Sequence, residues 1–405
     1  MNERGTPPYM KYLNKKQVLK CIKENQPISR AEIAAILQFS KPTVSNLVEE
    51  LLDEHWIYEK GSGESTDQGG RRPIQLFYNE KAKFVIGTDI GGTNVRTAIG
   101  DLNGNIIHMK TFSTINYLKA DLLHQLHRVI QEMITESGLD EVDILGMGLG
   151  IPGMIDYDSG IVIEAPSLGW NKYQLLKEAN KIFSFPIFID NDVNVAALGE
   201  QWKGVGKNKK NLLFIAIGTG IGSGIIINNQ LYRGATGAAG EIGYMVTDKK
   251  AVEKEFYPMF KGYGFFESVA GGKSIGKRMT DLIKADVDHQ LHKEIEQREV
   301  TAKEVFQLAS AGDDLALRVI EESNTHLGFG IINAACLLNP EMIILGGGVA
   351  KSAELIIPRV KQLANKYLPT SIDIEVSKLK DNAGVLGAIS LFLRENESLI
   401  QHGSS

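Results

Sequence analysis

Two stretches of this chain follow one plan, and that repetition limits the fold more than anything else in it. Residues 84–104 begin with the apolar run Phe84-Val85-Ile86 and reach the acidic Asp89, then Gly91-Gly92-Thr93-Asn94. An apolar strand over 95–99 and a turn at Asn103-Gly104 close the unit. Residues 212–229 repeat this: an apolar run over 212–217, the glycine turn Gly218-Thr219-Gly220-Ile221-Gly222-Ser223-Gly224, the strand Ile225-Ile226-Ile227 and a turn at Asn228-Asn229. Two copies of strand, glycine turn and strand, roughly 125 residues apart, predict a duplicated α/β domain with a cleft between its halves. Each glycine turn would offer backbone N–H groups to an anion from its own wall of that cleft. A third cluster, Gly346-Gly347-Gly348, follows the strand Met342-Ile343-Ile344 and would let a flat base approach the backbone. A single glycine turn often does no more than join two strands. Three at strand ends are a stronger signal.

Between the two copies lies Pro186-Ile187-Phe188-Ile189, a short strand leading into Asp190-Asn191-Asp192 and then a helical run over 193–200. Side chains at the C-terminal end of such a strand project into the crevice where open α/β sheets hold ligands. A carboxylate there could take the proton of a sugar hydroxyl as it attacks a γ-phosphate, with Asp89 helping to hold Mg²⁺. Gly240-Glu241-Ile242-Gly243-Tyr244 and Phe266-Glu267 add acids beside glycines and aromatics, a composition suited to gripping hydroxyls. Taken one at a time, each acid reads equally well as a helix cap or a surface ion pair.

The first eighty residues have another character. Asn14 is expected to cap a helix whose Val18, Leu19 and Ile22 share one face, and Pro27 ends it. Ser29-Arg30-Ala31-Glu32 has capping-box spacing and opens a second helix through Leu37. Ser40 caps a third, with Pro42 in its first turn and Val44, Leu47, Val48, Leu51 and Leu52 as its buried stripe. Three short helices with a tight turn before the last predict a helix-turn-helix, whose final helix would enter a major groove. Ser40, Lys41, Thr43, Ser45 and Asn46 are the residues placed to meet DNA. Two short strands around the glycine-rich 61–70 form a wing, whose Arg71 and Arg72 would reach phosphates or a minor groove. Residues 11–48 carry seven basic side chains against Glu24 and Glu32, while 49–67 carry seven acids against Lys60, a tilt hidden in the net charge of −5. The competing reading is a small helical module for dimerisation or protein docking.

At 405 residues the chain is too long for one core. The boundaries read from the sequence are 1–80 for the DNA-binding domain, 81–205 for a first lobe and 206–383 for a second. A helix near 384–396 is expected to return to the first lobe. No apolar stretch approaches the roughly 18 residues needed to cross a bilayer, and the N-terminus lacks the apolar core of a signal peptide. The expectation is a cytoplasmic protein without a membrane partner. Two cysteines, Cys21 and Cys336, are too few for a cysteine zinc site.

In this order the segments GTDIGGTNVRTAIGDLNG, GIPGMID, IDNDVNVAALGE, IGTGIGSGIIINNQLYRGATGAAGEIGY and NPEMIILGGGV, behind a winged helix-turn-helix with a GRRP wing, resemble the ROK family of repressors and sugar kinases. The similarity is to its transcription-factor branch, which includes xylose and N-acetylglucosamine repressors, and it spans nearly the whole chain. It implies an actin-like, sugar kinase/ribonuclease H-like ATPase fold after the winged domain. It also implies nucleotide contacts at Asp89, Gly91, Gly92, Thr93, Asn94, Gly218, Thr219, Gly220, Gly346 and Gly347, and a catalytic base at Asp192. Sugar contacts are implied at Gly153, Ser167, Asn191, Asp192, Glu241, Tyr244 and Glu267. Three departures stand out. Tyr244 replaces the histidine of a GEIGH motif, and no cysteine occurs in the 251–266 segment where the family carries a zinc module, so zinc is expected to be absent. Phe256, Tyr257, Phe260, Tyr263, Phe265 and Phe266 are expected to hold that segment by packing instead. Ser167 stands where the kinases commonly present an asparagine.

The reading favoured is a sugar-responsive repressor of carbohydrate-utilisation genes. It would bind an inverted-repeat operator as a homodimer or homotetramer, require no cofactor for DNA binding, and release DNA when a monosaccharide enters the cleft. The alternative is an ATP- and Mg²⁺-dependent sugar kinase with an appended DNA-binding domain.

Overall fold

The computed structural model describes residues 7–62, 74–117, 120–249, 253, 257–260 and 262–402. The chain opens with helices α1 (Pro7–Asn25), α2 (Arg30–Leu37) and α3 (Lys41–Asp53). α1 starts a full two turns before Asn14, which therefore lies inside the helix and caps nothing. The reason is Pro7-Pro8: a first turn has no use for the N–H groups that proline lacks, so the helix begins there. Its buried face is Val18, Cys21 and Ile22, with Leu19 only partly covered. α2 opens with the expected capping box, in which the Glu32 amide donates to Ser29 Oγ at 3.3 Å and the Ser29 amide to Glu32 Oε2 at 2.8 Å. α3 is capped by Ser40 and buries Val44, Leu47, Val48 and Leu51. An antiparallel pair, β1 (Ile57–Ser62) and β2 (Ile74–Tyr78), completes this domain. Arg71 and Arg72 lie outside the described residues.

β3 (Phe84–Ile90), β4 (Asn94–Asp101), β5 (Ile106–Ser113), β6 (Ile144–Ile151) and β10 (Ile187–Asn191) make a five-stranded sheet in the order β10-β6-β3-β4-β5. β3, β4 and β5 form an antiparallel meander, whereas β6 and β10 add in parallel. Helix α4 (Ala120–Glu136) covers one face. A small sheet of β7 (Met154–Asp156), β8 (Ile161–Ala165) and β9 (Trp170–Tyr173) leads through α5 (Leu175–Ala179) back to β10. After α6 (Asp192–Lys203), the plan recurs with β11 (Leu212–Ile217), β12 (Ile221–Ile227), β13 (Gln230–Leu231), β14 (Met342–Gly346) and β15 (Asp373–Val376), ordered β15-β14-β11-β12-β13. Strand for strand, the second sheet has the connectivity of the first. The duplication read from the glycine turns is therefore a duplication of whole sheets.

Between the sheets run α6 and the C-terminal helix Ala383–His402, with Val195, Ala197, Leu198, Ala388 and Leu391 meeting Phe214, Ile226 and Ile344 of the second sheet. The two helices can approach this closely because Gly387 faces α6. A Cβ on Gly387 would stand 1.7 Å from the Val195 carbonyl oxygen. On its other side the C-terminal helix lies directly on β3 and β6, at Gly87 and Gly148.

Candidate functional site

The two glycine turns face one cavity of about 1120 Å³, lined by Gly91, Gly92, Thr93 and Asn94 from the first sheet and by Gly218 and Thr219 from the second. The first turn is held by the Gly91 amide on the Asn94 carbonyl at 2.9 Å and by Thr114 Oγ1 donating to the Gly91 carbonyl at 2.7 Å. The second is held by the first turn of helix Gly272–Ala285: the Gly272 and Lys273 amides donate to the Gly218 and Thr219 carbonyls at 2.9 and 3.0 Å. Arg96, Lys273, Lys303 and Lys351 bring positive charge to the walls. A cavity between two glycine turns, with four cations on its walls against Glu299 and Glu354, suits a polyphosphate.

Four expected nucleotide residues do not line this cavity. Gly346 is the last residue of β14 and packs against the Phe214 ring, and Gly347 lies on the Ile217 backbone with φ +85°. The next two residues, Gly348 and Val349, form the wall instead. Gly220 is turned toward Glu267, where a Cβ would lie 1.8 Å from Oε1. Asp89 sits deeper, below the glycine turn and against Gly384. The sequence reading missed Arg96, Lys273, Lys303 and the helix Ala302–Ser310. Only Arg96 left a local signal, since a tight turn after Asp89 places it directly opposite in the β3–β4 register.

The strand end of β10 assembles the second part of the cleft. Asn191 Oδ1 caps α6 by accepting from the Val193 and Asn194 amides at 2.9 and 3.3 Å, while its Nδ2 donates to the Gly153 carbonyl at 2.9 Å. Gly153 has φ +104°, a conformation in which a side chain would also collide with Glu164. Asp192, the first residue of α6, is half-buried, and its Oδ1 accepts from the Val193 amide at 2.9 Å. Its pKa rises from 3.8 to about 7, chiefly through burial and then through the charges of Asp89 and Glu241, against the pull of the helix amides. Asp89 rises to about 6, again through burial, with Arg96 opposing. Glu267 accepts from the Ile221 amide at 3.0 Å and, like Glu241, has a raised pKa from burial. Ser167 lies against Gly92, at the seam between this acidic patch and the phosphate turn. Carboxylates that reach one another's fields, one of them titrating near neutrality beside a helix N-terminus, are suited to binding hydroxyls and accepting a proton.

Tyr244 is 59% exposed, and its hydroxyl donates to the Gly262 carbonyl at 2.8 Å. Glu241, Glu267 and Glu164 all raise its pKa further, after burial, so it stands at the rim of the acidic patch. Of the aromatics expected to hold the neighbouring segment, Phe265 and Phe266 are buried and Phe260 packs edge-on to Tyr263. Tyr257 is 75% exposed, against the expected packing role, and Phe256 lies outside the described residues. The donor set does not fit zinc. Cys21 is buried in the N-terminal helices and Cys336 is exposed on helix Asp314–Leu338, each well removed from Tyr244 in the chain.

On α3, Lys41 and Asn46 are exposed and Ser45 is half-exposed. The hydroxyls of Ser40 and Thr43 are 2.7 Å apart and are engaged in the helix cap. The basic tilt of this region is largely neutralised within it: Lys11 and Lys15 pair with Glu50, Lys15 also with Glu54, Lys20 with Glu24 and Arg30 with Glu59. Lys41 thus carries more of the outward charge on this face than the composition suggested.

Residues 85–395 match the ROK family, and residues 13–58 match a winged helix-turn-helix DNA-binding family. The chain is 33% identical over 396 residues to the xylose repressor of Caldicellulosiruptor bescii, covering 96% of this chain and 98% of that one. It is 32% identical over 329 residues to the glucokinase of Halalkalibacterium halodurans, covering 80% of this chain and 98% of that one. Among solved structures, a ROK family transcriptional regulator, a homolog of the E. coli MLC protein, superposes with a TM-score of 0.80 at 25% identity, over 97% of this chain and 98% of the other. Among the described residues, no helix is long and apolar enough to cross a membrane.

Proposed function

The chain belongs to the ROK family, and on that premise we propose that it is a transcriptional repressor of carbohydrate-utilisation genes that releases its operator when a monosaccharide enters the cleft. The observation that carries this reading is the winged helix-turn-helix on the same chain as the cleft. Its α3 presents Lys41 and Asn46 to solvent while its other face is buried, and a kinase has no use for such a surface. Ser40, Thr43 and Ser45 frame the approach to DNA. The Ser40–Thr43 cap would set the helix N-terminus against a phosphate. Full-length likeness to a protein named for xylose supports an aldopentose of that class as effector.

In this reading Asp192, Glu241 and Glu267 accept hydrogen bonds from the sugar's hydroxyls and Asn191 donates one through its second Nδ2 proton, with Gly153, Ser167 and Tyr244 shaping the pocket around the ring. Binding across both sheets favours one relative placement of the two halves. A differential affinity of about 1–3 kcal/mol is enough to shift an equilibrium between operator-binding and released forms. The chain acts as a homodimer or homotetramer on an inverted repeat, since one helix-turn-helix offers too little specific contact by itself.

A sugar kinase is the second reading, and one observation favours it: Asp192 is a carboxyl poised near neutral pH at a strand end, as a general base should be. ATP fits the cavity lined by Gly91, Gly92, Thr93, Gly218 and Thr219, and would supply the phosphoryl group when bound. Mg²⁺ binds largely through phosphates and water with one or two carboxylates, and in this reading Asp89, buried below the glycine turn, would anchor it from beneath the cavity through water. Operator binding followed by fluorescence anisotropy with and without each pentose, hexose and amino sugar, alongside phosphoryl transfer to the same sugars, separates the readings. Release by a sugar without turnover supports the repressor. Turnover with no effect on DNA supports the kinase.

A further inference from the structure

The hairpin that follows β12 is fastened to the second half of the C-terminal helix at two points. Arg394 donates to the Asn229 carbonyl at 2.9 Å, and also to Gln201 Oε1 of α6 at 3.0 Å. Four residues on from Asn229, Arg233 donates to Glu395 Oε1 at 3.1 Å. The same guanidinium is bonded through Nε to Asp190 Oδ2 at 2.6 Å and lies over the Tyr157 ring at 4.0 Å. The Tyr157 hydroxyl is itself hydrogen-bonded to Glu395. Asp190 is 5% exposed, Arg233 22% and Glu395 19%, so this is a largely desolvated cluster and not a surface pair. Such a cluster resists separation, because removing one partner strands a buried charge.

Its position is what gives it a role. Asp190 immediately precedes Asn191 and Asp192, Tyr157 stands at the tip of the small sheet that begins beside Gly153, and Arg233 leads through Gly234 and Gly237 to Glu241. All three arms therefore end at the proposed sugar contacts, two on the first sheet's side and one on the second's. The fourth member, Glu395, is on a rigid helix. One and two turns back on that helix, Phe392 and Ile389 are buried with Val85 and Leu102 in a cluster against which Trp56 and Tyr78 of the DNA-binding domain pack. Tyr78 is also the end of the wing strand, and its amide donates to Gln26 Oε1 between α1 and α2.

Resting on the repressor reading above, we infer that Arg233 and Glu395 are the link by which sugar in the cleft is reported to the DNA-binding domain. Movement of the β12–β13 hairpin against the first sheet carries Arg233, and Arg233 carries the C-terminal helix through Glu395. The helix then shifts the Phe392 contact under Trp56 and Tyr78. A residue in this link acts on the coupling between two sites and not on either site alone, which makes it a positioning element separable by measurement.

The test uses the full chain, D-xylose and the other sugars of the panel, and an operator fragment selected from random duplex DNA. Glu395→Gln keeps the side chain's shape and removes its charge, and Tyr157→Phe removes only the hydroxyl. Each variant is expected to bind sugar alone and operator alone within about threefold of the parent chain. The sugar-induced fall in operator affinity, typically 5–150-fold for such a coupling, should collapse to about twofold or less. A fall as large as the parent's in both variants overturns the link. So does a loss of sugar affinity that fully accounts for the smaller response, since that makes the cluster a local support of the pocket. If no sugar releases the parent chain from its operator, the repressor reading itself falls and the link goes with it.

Discussion

Replacing Asp192 with Asn should stabilise the unliganded protein at alkaline pH while impairing its response to sugar. The side chain keeps its size, and its Oδ1 keeps the hydrogen bond from the Val193 amide. What is lost is a carboxyl whose pKa rises from 3.8 to about 7 on folding. The sign follows from linkage. Between these values the folded chain retains a proton that the unfolded chain has lost, so stability falls as pH rises through the window and is lowest above 7. At about 1.4 kcal/mol per unit, and with allowance for relaxation of a half-buried site, the carboxylate costs on the order of 2–4 kcal/mol at pH 8. Toward pH 3, below the unfolded value of 3.8, both side chains are neutral and the difference vanishes. Thermal unfolding of both proteins from pH 3 to 8.5, without ligand, should give curves that converge at the acid end and separate by several degrees at the other. A gap independent of pH would refute the assigned burial of this carboxyl. In the same variant, sugar affinity should fall by about 1–3 kcal/mol through the weakened hydrogen bond. The operator should then stay bound at sugar concentrations that release the parent. If the chain is also a kinase, phosphoryl transfer should drop roughly 10²–10⁴-fold.

Four further outcomes are expected. Asn46→Ala should cost about 1–3 kcal/mol on the operator and relax specificity at one base pair, and an equal loss on random DNA would mean that Asn46 reads no base. Arg71→Ala with Arg72→Ala should flatten the salt dependence of DNA binding by about one to two units of slope; an unchanged slope removes the wing from the DNA. Elemental analysis should find no stoichiometric zinc, because four-coordinate structural sites draw on Cys and His in numbers that the Tyr244 region lacks, and one zinc per chain would overturn this. Light scattering should show at least two chains per operator, whereas one chain bound to a single half-site would refute the symmetric assembly.

What could be read from the sequence was written locally. The Ser29–Glu32 box, the Ser40 cap and the turns at Gly91-Gly92 and Gly218–Gly220 each depend on residues within a few positions of one another, and all are found where expected. Asn14 misled because a capping residue and a helix-tolerant one look alike until the prolines upstream are weighed. Gly346 and Gly347 misled differently. All three glycines in the run permit close approach, and only the course of β14 decides that Gly348 is the one facing the cavity. The basic count over residues 11–48 overstated the DNA-facing charge because the acids that neutralise it, Glu50, Glu54 and Glu59, come later in the chain. The Arg233–Glu395 pair was out of reach altogether, since its members are 162 residues apart.

A repressor would keep a phosphate-binding turn for a mechanical reason. A sensor needs two halves that close on a ligand, and the two glycine turns are the inner ends of the strands that face each other across the cleft. Gly220 cannot be replaced without dislodging Glu267, because a Cβ there would occupy the carboxylate's position. Gly92 abuts Ser167, so bulk at that turn would press on the small sheet that bears Gly153. These two glycines are thus required by Glu267 and Ser167, whether or not a nucleotide binds. Their retention is therefore weak evidence for phosphoryl transfer. The raised pKa of Asp192 is better evidence, yet its leading cause is burial, followed by Asp89 and Glu241, which a sugar-binding site needs in any case. The residues that depart from the kinase pattern, Ser167 and Tyr244, stand at the two edges of the acidic patch, where a sugar would have to be held still for transfer. In the repressor reading, Ser167 and Tyr244 at those edges would leave binding possible while loosening the alignment that transfer requires.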